Sequence, residues 1–101
     1  MTIEDCRTKI DAIDDELLRL LNERARIALE VGESKRSEGR SLCDRTREQE
    51  VIERVCHANT GPLDSHAVES IFRRIIRESR RVQENSVAQA GVILESLRKG
   101  D

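Results

Sequence analysis

Residues 3–37 read IEDCRTKIDAIDDELLRLLNERARIALEVGESKRS, and the fold turns on this stretch. Ile3, Cys6, Ile10, Ile13, Leu17, Leu20, Ile27 and Val31 recur at alternating spacings of three and four, the period of one helical face. Arg24 is the one polar residue that falls within the series. A second seam runs beside it through Leu18, Leu21, Ala25, Ala28 and Gly32, then reaches Lys35. Thr2 can cap the start, with Asp5 in a capping-box position. No breaker follows until Ser37, Glu38, Gly39, Arg40 and Ser41. The stretch therefore predicts a single helix of about 33 residues, roughly 50 Å long at 1.5 Å per residue.

Two shorter helices follow by the same reading. Asp44 caps a second, whose apolar face is Val51, Ile52, Val55 and Cys56, and Asn59, Thr60, Gly61 and Pro62 end it. Asp64 caps a third, which carries Val68, Ile71, Phe72, Ile75, Ile76 and Val82. Gly91 is expected to weaken or end it, leaving Val92, Ile93, Leu94 and Leu97 as a short apolar tail. The expected helices cover about residues 3–37, 45–59 and 65–90, and no repeat or low-complexity linker separates them.

Composition agrees with an all-α chain. Of 101 residues, 38% are charged and 1% aromatic, Pro62 is the only proline, and Leu, Ile, Ala, Glu and Arg dominate. The length suits one domain. A 50 Å helix does not fit inside a compact monomer of this size, whose radius of gyration would be about 13 Å. Two apolar seams also need more cover than two shorter helices supply. An intertwined homodimer, with the long helices packed on each other, meets both demands.

Several function classes are disfavoured. A net charge of -2 gives no global attraction to nucleic acid or to anionic membranes. No apolar run approaches the ~18 residues of a membrane span. The start, Thr2 to Asp5, has neither a basic nor an apolar stretch, so no signal peptide is expected. Cys6, Cys43 and Cys56 are odd in number and in no CxxC pair, and read as buried or half-buried small hydrophobes in a reducing cytosol. His57 and His66 read as surface residues. Neither a metal-ligand spacing, a nucleophile–base pair nor a phosphate loop is present.

The informative residues are those that break the apolar faces. Arg24 interrupts the main seam, Lys35 lies eleven residues on near the same face, and small Ala28 and Gly32 leave room between them. Ser79 and Gln83 stand at i, i+4 on the third helix and can face one spot. Arg47 and Glu48 open the second helix directly after Asp44. Each has an ordinary reading: a register-fixing Arg, a solvated Lys, a simple cap, a surface pair, or a Ser bonded to its own backbone. Together they make a set of cations, acids, an amide and a hydroxyl, without His or Cys. Such a set suits a small dianionic ligand that reacts without covalent or metal help.

These residues resemble the all-helical class of chorismate mutases from about Cys6 to Gln83. The likeness rests on Arg7 in CRTKIDAID, Arg24 and Lys35 in LLNERARIALEVGESK, Asp44, Arg47 and Glu48 in DRTRE, and Ser79 and Gln83 in IIRESRRVQ. The resemblance implies one mutase domain over residues 1–101, an isomerase that rearranges chorismate to prephenate in aromatic amino acid (Phe/Tyr) biosynthesis. It implies a cytoplasmic homodimer with shared active sites and no cofactor, metal, nucleic-acid or membrane partner. Arg7 and Arg24 would bind the substrate carboxylates, with Arg47 and Ser79 supporting. Lys35 and Gln83 would donate to the ether oxygen, and Asp44 and Glu48 would hold the ring hydroxyl region, with Lys35, Gln83 and Glu48 as the catalytic set. Cys43 beside Asp44 departs from the expected pattern, as does the tail after Gln83. Related domains also occur fused to prephenate dehydratase or to other enzymes of the route.

Three other readings stand beside it. An isochorismate-pyruvate lyase on the same scaffold would have an aliphatic residue in place of Glu48 and a shorter loop after Lys35. A nucleic-acid-binding dimer would use the crowd of Arg73, Arg74, Arg77, Arg80 and Arg81, although a solvated face balanced by acids explains them without stacking aromatics. A non-catalytic helical dimerisation module would need only the seams.

Overall fold

The computed structural model describes residues 1–99, which form three helices: α1 (Ile3–Ser37), α2 (Arg45–Ala58) and α3 (Ser65–Lys99). Local chemistry accounts for each boundary. At the start of α1 the Asp5 amide donates to Thr2 Oγ1 at 3.1 Å while the Thr2 amide donates to Asp5 Oδ2 at 3.0 Å, a complete capping box. The hydrogen bond from the Thr2 backbone, with a smaller one from its side chain, holds the Asp5 carboxyl below its ordinary pKa. At the other end Gly39 takes φ +71, a left-handed conformation that costs a glycine little. The Gly39 amide then reaches the Arg36 carbonyl at 3.1 Å and the Arg40 amide reaches the Lys35 carbonyl at 2.7 Å. That pair of bonds closes the helix and turns the chain back.

Asp44 caps α2 through its Oδ1, which accepts from the Arg47 amide at 3.0 Å. Asp64 does the same for α3 with the Ala67 amide at 2.8 Å. Between α2 and α3, Asn59 organises the turn: its Nδ2 donates to the Leu63 carbonyl at 2.7 Å, and its Oδ1 accepts from the Gly61 amide at 3.1 Å.

The third helix runs further than its sequence suggests. It passes Gly91 and continues to Lys99. A lone helical glycine costs about 1 kcal/mol against alanine, too little to stop a helix flanked by Ala90, Val92, Ile93 and Leu94.

Helix α3 packs against both α1 and α2. Among the described residues the buried apolar side chains are Val51 and Ile52 of α2 and Val68 of α3, a small core. The radius of gyration is 18.4 Å and the extents are 66 × 32 × 16 Å, against about 13 Å for a compact monomer. The N-terminal part of α1 accounts for this shape. Ile3, Ile10, Ile13, Leu17, Leu18, Leu20 and Leu21 are all exposed along it.

The cysteines correct one expectation. Cys6 and Cys43 are exposed, because Cys6 lies on the uncovered seam of α1 and Cys43 in the loop before α2. Cys56 alone is half-buried, with its thiol 3.7 Å from the Ser65 carbonyl. His57 and His66 are exposed.

Candidate active site

The C-terminal part of α1, the loop after it, the first turn of α2 and the middle of α3 enclose a cleft of about 290 Å³. Helical spacing explains how α1 contributes. Arg24, Ala28, Val31 and Lys35 follow one another at four, three and four, so all face the same side. The bonds that close α1 fix the Lys35 carbonyl, and with it the last turn that carries the ammonium group. The chain reversal then brings Leu42 and Asp44 to the rim, and the Asp44 cap sets Arg47 and Glu48 on the opening turn of α2. From α3 come Ile76, Ser79, Arg80 and Gln83.

Two hydrogen bonds tie α1 to α3 at the cleft floor. Arg24 Nη1 donates to Ser79 Oγ at 2.8 Å, so Ser79 accepts from a guanidinium rather than bonding its own helix. Gln83 Nε2 donates to the Ala28 carbonyl at 2.6 Å. Only an amide nitrogen can donate to a carbonyl, so this bond fixes which end of the Gln83 side chain is which, and the second N–H stays available. Gln83 is 9% exposed, and its stem lies over buried Gly32. A Cβ at position 32 would come within 3.1 Å of Gln83 Cγ. A larger residue there would make the Gln83 side chain give way by a few tenths of an ångström.

The electrostatics favour anions. Burial, and then the positive charges of Arg47 and Arg54, push the Arg24 pKa below its ordinary value. A cation held among cations gains from a bound carboxylate. Arg24, Lys35, Arg47 and Arg80 against Asp44 and Glu48 leave a formal excess of two positive charges, four minus two, around the cleft. Ile27, Val31, Leu42 and Ile76 supply an apolar wall beside them. The arrangement can hold a compact organic dianion.

Of the residues singled out by sequence, Arg24, Lys35, Asp44, Arg47, Glu48, Ser79 and Gln83 line this one cleft. Arg7 does not. It is exposed and pairs with Glu4 at 3.4 Å, about 26 Å along α1 from Arg24 at helical rise. Arg80 is not among them. Sequence reading leaves it in the basic crowd of α3, yet it lines the cleft and pairs with Glu48. Its spacing carries the signal, four residues after Ile76 and three before Gln83, on the face they share. Acids pair with three others of that crowd: Arg73 with Glu69, and Arg74 and Arg81 with Glu78. Among the described residues there is no cluster of three metal-ligating side chains and no helix long and apolar enough to cross a membrane.

Comparisons with known proteins converge on one family. The sequence model for chorismate mutase type II matches residues 6–84. The bifunctional chorismate mutase/prephenate dehydratase of Escherichia coli K12 is 37% identical over 84 residues, covering 82% of this chain and 22% of that protein. Its Neisseria gonorrhoeae counterpart is 42% identical over 78 residues, covering 76% of this chain and 21% of that protein. The chain thus spans about a fifth of the length of these curated relatives. Among solved structures, chorismate mutase form II of Thermus thermophilus superposes with a TM-score of 0.80 at 30% identity, over 81% of this chain and 93% of that one. Chorismate mutase of Helicobacter pylori in complex with prephenate gives 0.79 at 30% identity, over 85% and 93%. Helical architecture, the cleft between α1, α2 and α3, and sequence all lead to the same assignment: the chain belongs to the chorismate mutase type II family.

Proposed function

We propose that this chain rearranges chorismate to prephenate as a homodimer with two shared active sites. The observation that carries the reading is the cleft, where two helices present Arg24, Lys35, Ser79 and Gln83 to one cavity of the right charge. The family and the prephenate complex of the Helicobacter pylori relative support the substrate. The reaction is a [3,3] Claisen shift, in which the C–O bond of the enolpyruvyl ether breaks while a C–C bond forms.

Each residue's role follows from that chemistry. Arg24, already on Ser79, binds one carboxylate, with Arg47 adding positive potential. In the transition state the loosening C–O bond places negative charge on the ether oxygen. Lys35 Nζ and the second N–H of Gln83 donate there, and the Gln83 amide, already held by the Ala28 carbonyl, needs little reorganisation. Clamping both carboxylates selects the compact conformer in which the bonding carbons meet, which removes rotational freedom in advance. Asp44 and Glu48 accept from the ring hydroxyl region.

The second carboxylate clamp is the partner's Arg7. Two copies of α1 packed antiparallel about a two-fold axis cross near Asp15 and Glu16, midway between Arg7 and Arg24, and carry each Arg7 to the other chain's Arg24. The exposed Ile13 and Leu17 lie at that crossing. Burying each such side chain stabilises by about 1.5–3 kcal/mol. Incubating the purified protein with chorismate and assaying prephenate tests the activity. Steady conversion well above the uncatalysed rate is expected, and conversion at the uncatalysed rate would overturn the reading.

A further inference from the structure

Arg80 Nη2 on α3 meets Glu48 Oε1 on α2. Every other ion pair among the described residues joins positions four or fewer apart in sequence. This pair alone links two helices, and its side chains are only 28% and 24% exposed. It also stands as a partition. Glu48, Ile76 and Arg80 line both the main cleft and a second one of about 160 Å³ on its far side. The guanidinium engages Oε1 and leaves Oε2 of Glu48 as an acceptor.

We infer that Arg80 is a positioning residue for the proposed rearrangement: it holds Glu48 ionised and aimed, so that Oε2 can accept a hydrogen bond from a hydroxyl of the ligand ring. The inference rests on the proposed function and adds to it the residue that sets Glu48. A half-buried carboxylate without a partner is poorly solvated, free to rotate and easier to protonate, and each change weakens it as an acceptor. A charge-assisted bond from a planar guanidinium suppresses all three.

The test is a double-mutant cycle on the full chain, with chorismate as substrate, using wild type, Arg80→Met, Glu48→Gln and the double variant. Arg80→Met keeps the aliphatic stem and is expected to lower kcat/KM about tenfold, with Arg80→Lys recovering part of it. In the Glu48→Gln background the same substitution should change little. Asp44 at the cap of α2, Arg47 on α2, Arg24 and Lys35 on α1, and Arg73 and Arg77 on α3 line the two clefts and are unchanged between the two proteins. An equal loss in both backgrounds would overturn the inference and make Arg80 a direct ligand contact. A lowered melting temperature with unchanged kcat/KM would overturn it in favour of a purely structural pair. Wild-type protein inert toward chorismate would overturn the proposed function and this inference together.

Discussion

The two parts of α1 obey the same periodicity and do opposite things. From Ile3 to Leu21 the apolar seam is exposed among the described residues. From Arg24 to Lys35 the same helix is half-buried against α3, and polar residues break the apolar pattern at the cleft. The first part is regular in sequence and lacks a partner in structure. The second is irregular in sequence and is tied to α3 through Arg24 and the Ala28 carbonyl, although Ile27 and Val31 stay exposed. In the proposed dimer the unbroken apolar seam is the surface a second copy would cover, whereas the interruptions of the seam line the cleft.

The largest effect is expected where the first part is broken. Leu17→Asp changes an exposed residue of a single chain, which ordinarily shifts stability by no more than about 0.5 kcal/mol. At a dimer crossing it would bury an unpaired charge in each subunit, and dissociation with loss of helicity and activity should follow. Size exclusion with light scattering, together with circular dichroism, would show this. A stable, active dimer carrying Leu17→Asp would erase the contrast between the two parts.

Breaking the second part should spare the fold. Lys35→Ala is expected to lower kcat by about a hundredfold or more, as the loss of one oxyanion donor does in other enzymes, with the dimer intact. Steady-state kinetics check it, and a change in KM alone would reduce Lys35 to a ground-state contact.

Gly32→Ala sharpens the comparison, because stability and activity should part company. Alanine is the better helix former by about 1 kcal/mol, yet its Cβ would meet Gln83 Cγ at 3.1 Å. The melting temperature should hold or rise slightly while kcat falls by about tenfold, since Gln83 leaves its aim. A fall in both would mean that α1 and α3 separate instead.

The smallest effect belongs outside both parts. Gly91 is exposed on α3 with open space where a Cβ would stand. Gly91→Ala should raise stability by less than about 1 kcal/mol in denaturant melts and leave kinetics unchanged.

These contrasts also explain what can be read from the sequence. The length of α1 and the caps at Thr2, Asp44 and Asp64 are local chemistry, and short motifs carry them. Arg24, Lys35, Ser79 and Gln83 stand out because each is polar where helical spacing calls for apolar. Arg80 does not, since one arginine among five on a helix is indistinguishable from a solvated charge until α2 sets Glu48 against it. Gly91 misleads when its cost is weighed alone, without the helix formers around it. The exposure of Cys6 belongs to the uncovered seam, which the proposed second copy would cover. Arg7 is the sharpest case: the family resemblance assigns it to the site, yet within one chain it lies far along α1 from the cleft, so the assignment stands only with the proposed dimer.

The central claim is that each site draws Arg7 from one chain and Arg24 from the other, and subunit mixing measures it directly. Homodimers of Arg7→Ala and of Arg24→Ala should each be nearly inactive. Unfolded together and refolded in equal amounts, half the dimers would be heterodimers, each with one intact and one doubly damaged site. Activity should then return to about a quarter of wild type, if pairing is random and the sites are independent. Heterodimers shown to have formed, yet recovering no activity, would contradict the shared site.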